Sequence, residues 1–175
     1  FHRYHFPATE SAWVLLDVGH TRGESLSGQI NVEDDQTISG YGFYNMHPQL
    51  LAATSLVGQE QGERTVYFYA RFNQPFEETW VWNGETAAAQ GTDIEGAKAG
   101  VAAAFTFSEE STVEVTVAIS FVSVDMARQH LEDEIGERSF EEIRTEAEGQ
   151  WNALLNRVHV EGGKEGDLVR FYTAI

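Results

Sequence analysis

Residues 111–135 read STVEVTVAISFVSVDMARQHLEDEI, and the spacing of their apolar residues changes halfway along. Val113, Val115, Val117, Ile119 and Phe121 share one face of an extended chain, opposite Thr112, Glu114 and Thr116. A period of two is that of a strand with one buried face. From Ser123 the step becomes three or four, through Val124, Ala127, Leu131 and Ile135. That is a helical period, with Ser123 placed to cap the start and Gly136 to end it. The chain therefore divides near residue 122 into a strand-rich part and a helical part.

Working back from that boundary, KAGVAAAFTF (98–107) reads as a strand joined to the next by the polar turn Ser108–Ser111. ETWVW (78–82) is a short strand ended by Asn83-Gly84, with Trp80 and Trp82 on one face. TVYFYARF (65–72) alternates Val66, Phe68, Ala70 and Phe72 against Tyr67, Tyr69 and Arg71. GQINVEDDQTISGYGF (28–43) gives two strands around a turn at Asp34-Asp35, and AWVLLDV (12–18) suggests a strand buried on both sides. FHRYHF opens the chain as an aromatic strand closed by Pro7. Seven or more such segments with turn residues between them predict a mainly β fold, an antiparallel β-sandwich.

Working forward, SFEE (139–142) is a capping box, with Glu142 three residues after Ser139. It opens a helix striped by Phe140, Ile143, Ala147, Trp151, Leu154 and Val158. The last stretch, KEGDLVRFYTAI, reads as a further helix capped by Asp167, with Leu168, Phe171, Tyr172 and Ile175 on its apolar face. Such stripes need a surface to bury against. The expected organisation is a sandwich over 1–122, incomplete at its N-terminal side, a helical linker over 123–160, and the start of a helical domain over 161–175. Phe171, Tyr172 and Trp151 are expected to be exposed and to promote association.

Composition limits the functions open to the chain. A length of 175 residues with 42% hydrophobic content is sufficient for one globular core. The net charge of −17, with Lys98 and Lys164 the only lysines, argues against phosphate-dominated nucleic-acid binding and against an anionic membrane surface. The same charge fits either adaptation to high salt or an ordinary acidic surface. No apolar run approaches the roughly 20 residues of a membrane span. Absence of cysteine excludes disulfides and thiolate chemistry within the segment.

Few residues suggest chemistry. His2 and His5 are three apart on a strand, so they face opposite ways and do not form a chelating pair. Asp17 and His20 fit a turn better than an acid–base pair, and Glu132, Asp133 and Glu134 fan around a helix. No EF-hand, phosphate loop or nucleophile elbow is present. The aromatic stretch SGYGFYNMH is more suggestive. It sets Tyr41, Phe43, Tyr44, Asn45 and His47 among glycines, a mixture suited to stacking on a sugar and hydrogen-bonding its hydroxyls, or to simple packing.

Several blocks together resemble glycoside hydrolase family 92, the calcium-dependent α-mannosidases. They are HRYHFP, WVLLDVGH, ISGYG, VYFYARFNQPF with its F-x-x-P-F at Phe72, Pro75 and Phe76, then the run from Val117 to Gly162, and RFYTAI. The most specific are ISFVSVDMARQHLEDEI, the W-N-x-L-L at Trp151, and the closing FYTA. Their order and spacing agree along essentially the whole chain. The resemblance implies an N-terminal β-sandwich, linker helices and an (α/α)6 barrel that hydrolyses α-mannosidic bonds with inversion. It implies that the acid, the base and the calcium ligands lie in the barrel, so this segment has no catalytic or metal residue, is inactive alone and buttresses the barrel. It further implies mannose-containing glycans and the chain's own C-terminal catalytic domain as partners, in a periplasmic or secreted protein. Where the family often has G-W-A after I-S-G-Y, this chain has GFYNMHPQLLAATS. Tyr41, Phe43, Tyr44 and Asn45 are the substrate-facing candidates. A free-standing carbohydrate-binding or structural β-sandwich is the alternative.

Overall fold

The computed structural model describes residues 1–21, 23–45, 62–86, 88–160 and 162–174. Among them are ten strands: β1 (His2–Phe6), β2 (Thr9–Asp17), β3 (Glu24–Val32), β4 (Thr37–Asn45), β5 (Glu63–Phe72), β6 (Glu78–Trp82), β7 (Ala89–Gln90), β8 (Asp93–Glu95), β9 (Gly100–Phe107) and β10 (Ser111–Ser120). Three helices follow, α1 (Val124–Glu134), α2 (Phe140–Leu155) and α3 (Glu165–Ala174). None is long and apolar enough to cross a membrane. The chain forms two compact units, Phe1–Gly136 and Glu137–Ile175.

The first unit is an antiparallel sandwich. A six-stranded sheet runs in the order β1-β10-β5-β4-β3-β8, and a four-stranded sheet in the order β2-β9-β6-β7. The chain changes sheet between β1 and β2, β2 and β3, β5 and β6, and at each step from β7 to β10, so the polar turn at Ser108–Ser111 is a corner between sheets. The turn at Asp34-Asp35 is a true hairpin, with Asp34 Oδ1 accepting the Gln36 amide at 2.8 Å. Ile30, Ile38, Phe68, Phe72, Phe76, Val101, Phe105 and Val113 fill the space between the sheets. Phe72, Phe76 and Phe105 meet edge-on or tilted, with ring centroids 5.5 to 6.3 Å apart.

β2 is buried on one side only. Ala12 and Val14 are in the core, while Trp13 and Leu15 face out. The strand is therefore not buried on both sides as its continuous apolar run predicts: its outward residues are as apolar as its inward ones, which hides the period of two. The stripe on β10 also divides. Val113 and Val115 are buried, but Ile119, still in register with Phe68, and Phe121, just past the end of the strand, are exposed. On the opposite face, Thr116 and Ser120 are buried instead.

α1 explains that reversal. It packs across β10, β5 and β4 on the outer face of the six-stranded sheet. Ala127 and Leu131 are fully buried there with Tyr69, against Ala118 and Val124. Arg128 lies 4.8 Å over the Tyr69 ring and pairs with Glu33 at 2.6 Å. Ser123 Oγ accepts the Met126 amide, and Gly136, at φ +58°, donates its amide back to the Leu131 carbonyl, as expected of a left-handed C-terminal cap.

The second unit contains α2 and α3. Ser139 and Glu142 form both halves of the expected capping box. Asp167 is not the first cap of α3, which begins at Glu165; its carboxylate reaches back to the Lys164 amide at 3.4 Å, from inside the first turn. Trp151, Leu154, Val158, Val169 and Phe171 are exposed. Tyr172 is half-buried rather than exposed, because its ring meets Phe171 and its hydroxyl donates to the Val158 carbonyl. Ile175 lies outside the described residues.

Candidate functional site

β4 sits between β3 and β5, so its residues are held by ladders on both sides. Strand alternation then separates the four candidate residues. Tyr41, Phe43 and Asn45 project to the outer face of the six-stranded sheet. Tyr44 projects inward with Ile38 and the space over Gly42.

On the outer face, Tyr41 meets Tyr67 of β5 with ring centroids 6.0 Å apart and tilted by 55°. Phe43 is in register with Ser27 on one side and Thr65 on the other. Asn45 closes the strand between Glu24 and Glu63, and its Oδ1 is buried without a partner among the described residues. Beside Tyr67, the chain after β10 brings Phe121 to a cleft of about 410 Å³ with Glu63, Arg64 and Thr65. Tyr67 and Phe121 join this surface only through strand register and the end of β10. That information is not in the local sequence around β4. His47 lies outside the described residues.

Tyr44 is a structural anchor. Its hydroxyl donates to the Val18 carbonyl at 2.6 Å. Burial, and secondarily the negative charge of Asp17, push its pKa above the ordinary tyrosine value. Its ring occupies the space over Gly42, where a Cβ would stand 1.9 Å from the Tyr44 hydroxyl oxygen. Only glycine at 42 lets the ring lie there.

The other candidates take structural places. Asp17 Oδ1 accepts the Gly19 amide at 2.7 Å, closing a turn. His5 is bonded to Thr112, and His2 stacks on Tyr4. Glu132 accepts from Arg71, which also donates to the Gly136 carbonyl. No group of three His, Asp or Glu that could hold a metal ion occurs among the described residues. The described residues do not fit a calcium site.

The fold defines the class: an antiparallel β-sandwich domain continued by amphipathic helices. Comparison with family models makes the assignment specific. The model described as Glycosyl hydrolase family 92 N-terminal domain matches residues 1–120, and that described as Glycosyl hydrolase family 92 catalytic domain matches residues 126–175. The chain belongs to glycosyl hydrolase family 92.

Solved structures agree. One, a family 92 glycosyl hydrolase called CcMan5, is 28% identical, with a TM-score of 0.77 over 98% of this chain and 22% of its own. A family 92 inverting mannosidase of Bacteroides thetaiotaomicron, BT2199, is 24% identical with a TM-score of 0.77 over 97% of this chain and 21% of its own. The α-mannosidase BT3965 of the same organism is 22% identical with a TM-score of 0.74 over 92% and 21%. At their identities, the last two establish the fold alone. The chain thus spans about a fifth of the length of the structures it matches. Curated proteins return no match.

Proposed function

We propose that this chain is the non-catalytic N-terminal segment of a glycosidase that hydrolyses α-mannosidic bonds with inversion of the anomeric centre. The observation that carries the reading is the order of the two family matches, N-terminal domain and then catalytic domain, on one continuous chain. Support for mannose and for inversion comes from the described activities of structures sharing the fold. In an inverting reaction one carboxylic acid protonates the leaving oxygen while a carboxylate activates water on the opposite face of the ring. We assign both groups, and calcium, to the catalytic domain beyond the described helices. The sandwich acts as a rigid buttress for that domain. Tyr41, Phe43 and Asn45, with Tyr67, present the aromatic end of β4 as the surface that lends contacts to the sugar site, while Tyr44 anchors the strand beneath. By its family resemblance, we place the full protein in the periplasm or outside the cell.

The test is hydrolysis of an aryl α-mannoside by the full gene product and by the 175-residue chain, each with calcium and with chelator. The reading expects turnover by the full product alone, lost on chelation. Turnover by the 175-residue chain, or none by either, would overturn it.

A further inference from the structure

The outer face of the four-stranded sheet carries three of the chain's four tryptophans. Register places Trp13 beside Ala104, Leu15 beside Ala102 and Asp17 beside Gly100 on one flank of β9. On the other flank Glu78, Trp80 and Trp82 stand beside the same three small residues. The middle strand is therefore a low floor between two raised flanks. Trp13 is 37% exposed, Trp80 36% and Leu15 63%. Trp82 is half-buried and lies down on Gly100, where a Cβ would stand 2.2 Å from its Cζ2.

The rings are fixed. Trp13 Nε1 donates to Ser11 Oγ at 2.9 Å, and Trp80 Nε1 donates to Glu78 Oε1 at 3.1 Å. Gln90 Nε2 holds the other oxygen of Glu78 at 3.1 Å. Both indole bonds run back two residues along the ring's own strand, so each ring is laid along the sheet with one face open. Exposed bonds of this kind add little to stability, but they remove rotamer freedom before any ligand arrives. Past Trp82 the surface dips into a cleft of about 430 Å³ lined by Asp17, His20, Asn83 and Lys98.

We propose that this face is a binding platform for a neutral oligosaccharide, which stacks across Trp13 and Trp80 and extends over Trp82 toward Asp17, His20 and Lys98. Apolar sugar faces suit open indole faces, and hydroxyls suit the mixed donors and acceptors of the cleft. Sheet spacing sets Trp13 and Trp80 about 12 Å apart, two strands across and two residues along, a span for a short oligosaccharide. The exposed apolar area is on the order of a few hundred Å², short of the roughly 800 Å² per partner in a stable protein complex. Charge points the same way. Asp17 and Glu78 lie on this face of a chain of net charge −17, so a second copy or an anionic polymer is repelled and a neutral ligand is not.

The platform stands apart from the β4 surface; only the choice of mannose oligosaccharides as first probe rests on the mannosidase reading. The test titrates the 175-residue chain with neutral mannose, glucose and xylose oligosaccharides of three to six units, followed through the indole N–H signals in NMR. Saturable shifts at Trp13 and Trp80 are expected with at least one series, with no change at Trp151. Trp13→Ala and Trp80→Ala, made separately so that one misfolded variant leaves the other readable, are each expected to weaken binding at least tenfold while backbone amide signals stay dispersed. No shift with any series at millimolar concentration, or equal binding by the folded variants, would overturn the platform. Binding is read without hydrolysis, so its failure and the failure of the mannosidase reading are distinguishable.

Discussion

Tyr44 and Gly42 form a matched pair, ring over missing side chain. Gly42→Ala would force the ring off the Val18 carbonyl, costing about 1–3 kcal/mol as overpacking does. In a Tyr44→Ala background the same change should be nearly silent, because the space is then free. Urea midpoints at constant slope would read both values. The hydroxyl also titrates. Its folded pKa is raised, so the folded state keeps the proton longer than the unfolded chain does. Its contribution is fully present below the unfolded tyrosine value near 10 and is lost as pH rises through the folded one. Tyr44→Phe is expected to lose less stability than the parent between pH 9 and 11. The sequence marks Tyr41, Phe43, Tyr44 and Asn45 as a group, but which of them faces inward depends on the phase of β4. Gly40 and Gly42 conceal that phase, because they leave no apolar residue at two inward positions.

At the scale of elements, α1 is held to the sheet by a small buried set. Leu131→Ala empties a fully buried position and should cost about 2–5 kcal/mol, read as a lower unfolding midpoint of the first unit. Ser123→Ala removes the cap and should cost about 1 kcal/mol. In α2 the Ser139 side chain, above all, holds the Glu142 carboxyl below the usual carboxylate range. The stabilisation by this capping box is present above the unfolded glutamate pKa and is lost as pH falls through the folded one. The Ser139 amide should therefore lose its exchange protection on acidification, and Glu142→Gln should flatten that pH response. The helices were legible because caps and a period near 3.6 are local signals. β7 and β8 were not, since strands of two and three residues carry no period and are defined by their neighbours. The one-sided burial of β2 was hidden for a related reason: Trp13 and Leu15 are apolar on an outward face.

Across the whole molecule, charge and exposed apolar surface act together. Seventeen net negative charges repel, and salt screens them over about 10 Å at 0.1 M. Raising sodium chloride from 0.05 to 1 M should raise the unfolding midpoint and strengthen self-association through Trp151, Leu154 and Phe171 of the second unit. Sedimentation at two salt concentrations checks this, with Trp151→Ser expected to reduce the association. The sandwich-then-helix order was readable from the change of period at Ser123. The pairing order of the strands was not, because it is set by contacts between residues far apart in sequence. The most direct measurement of the central claim is NMR of mannose released from an aryl α-mannoside by the full gene product. The β-anomer appearing first, with no release by the 175-residue chain alone, is predicted; the α-anomer first, or no mannose released, would contradict an inverting α-mannosidase built on this sandwich.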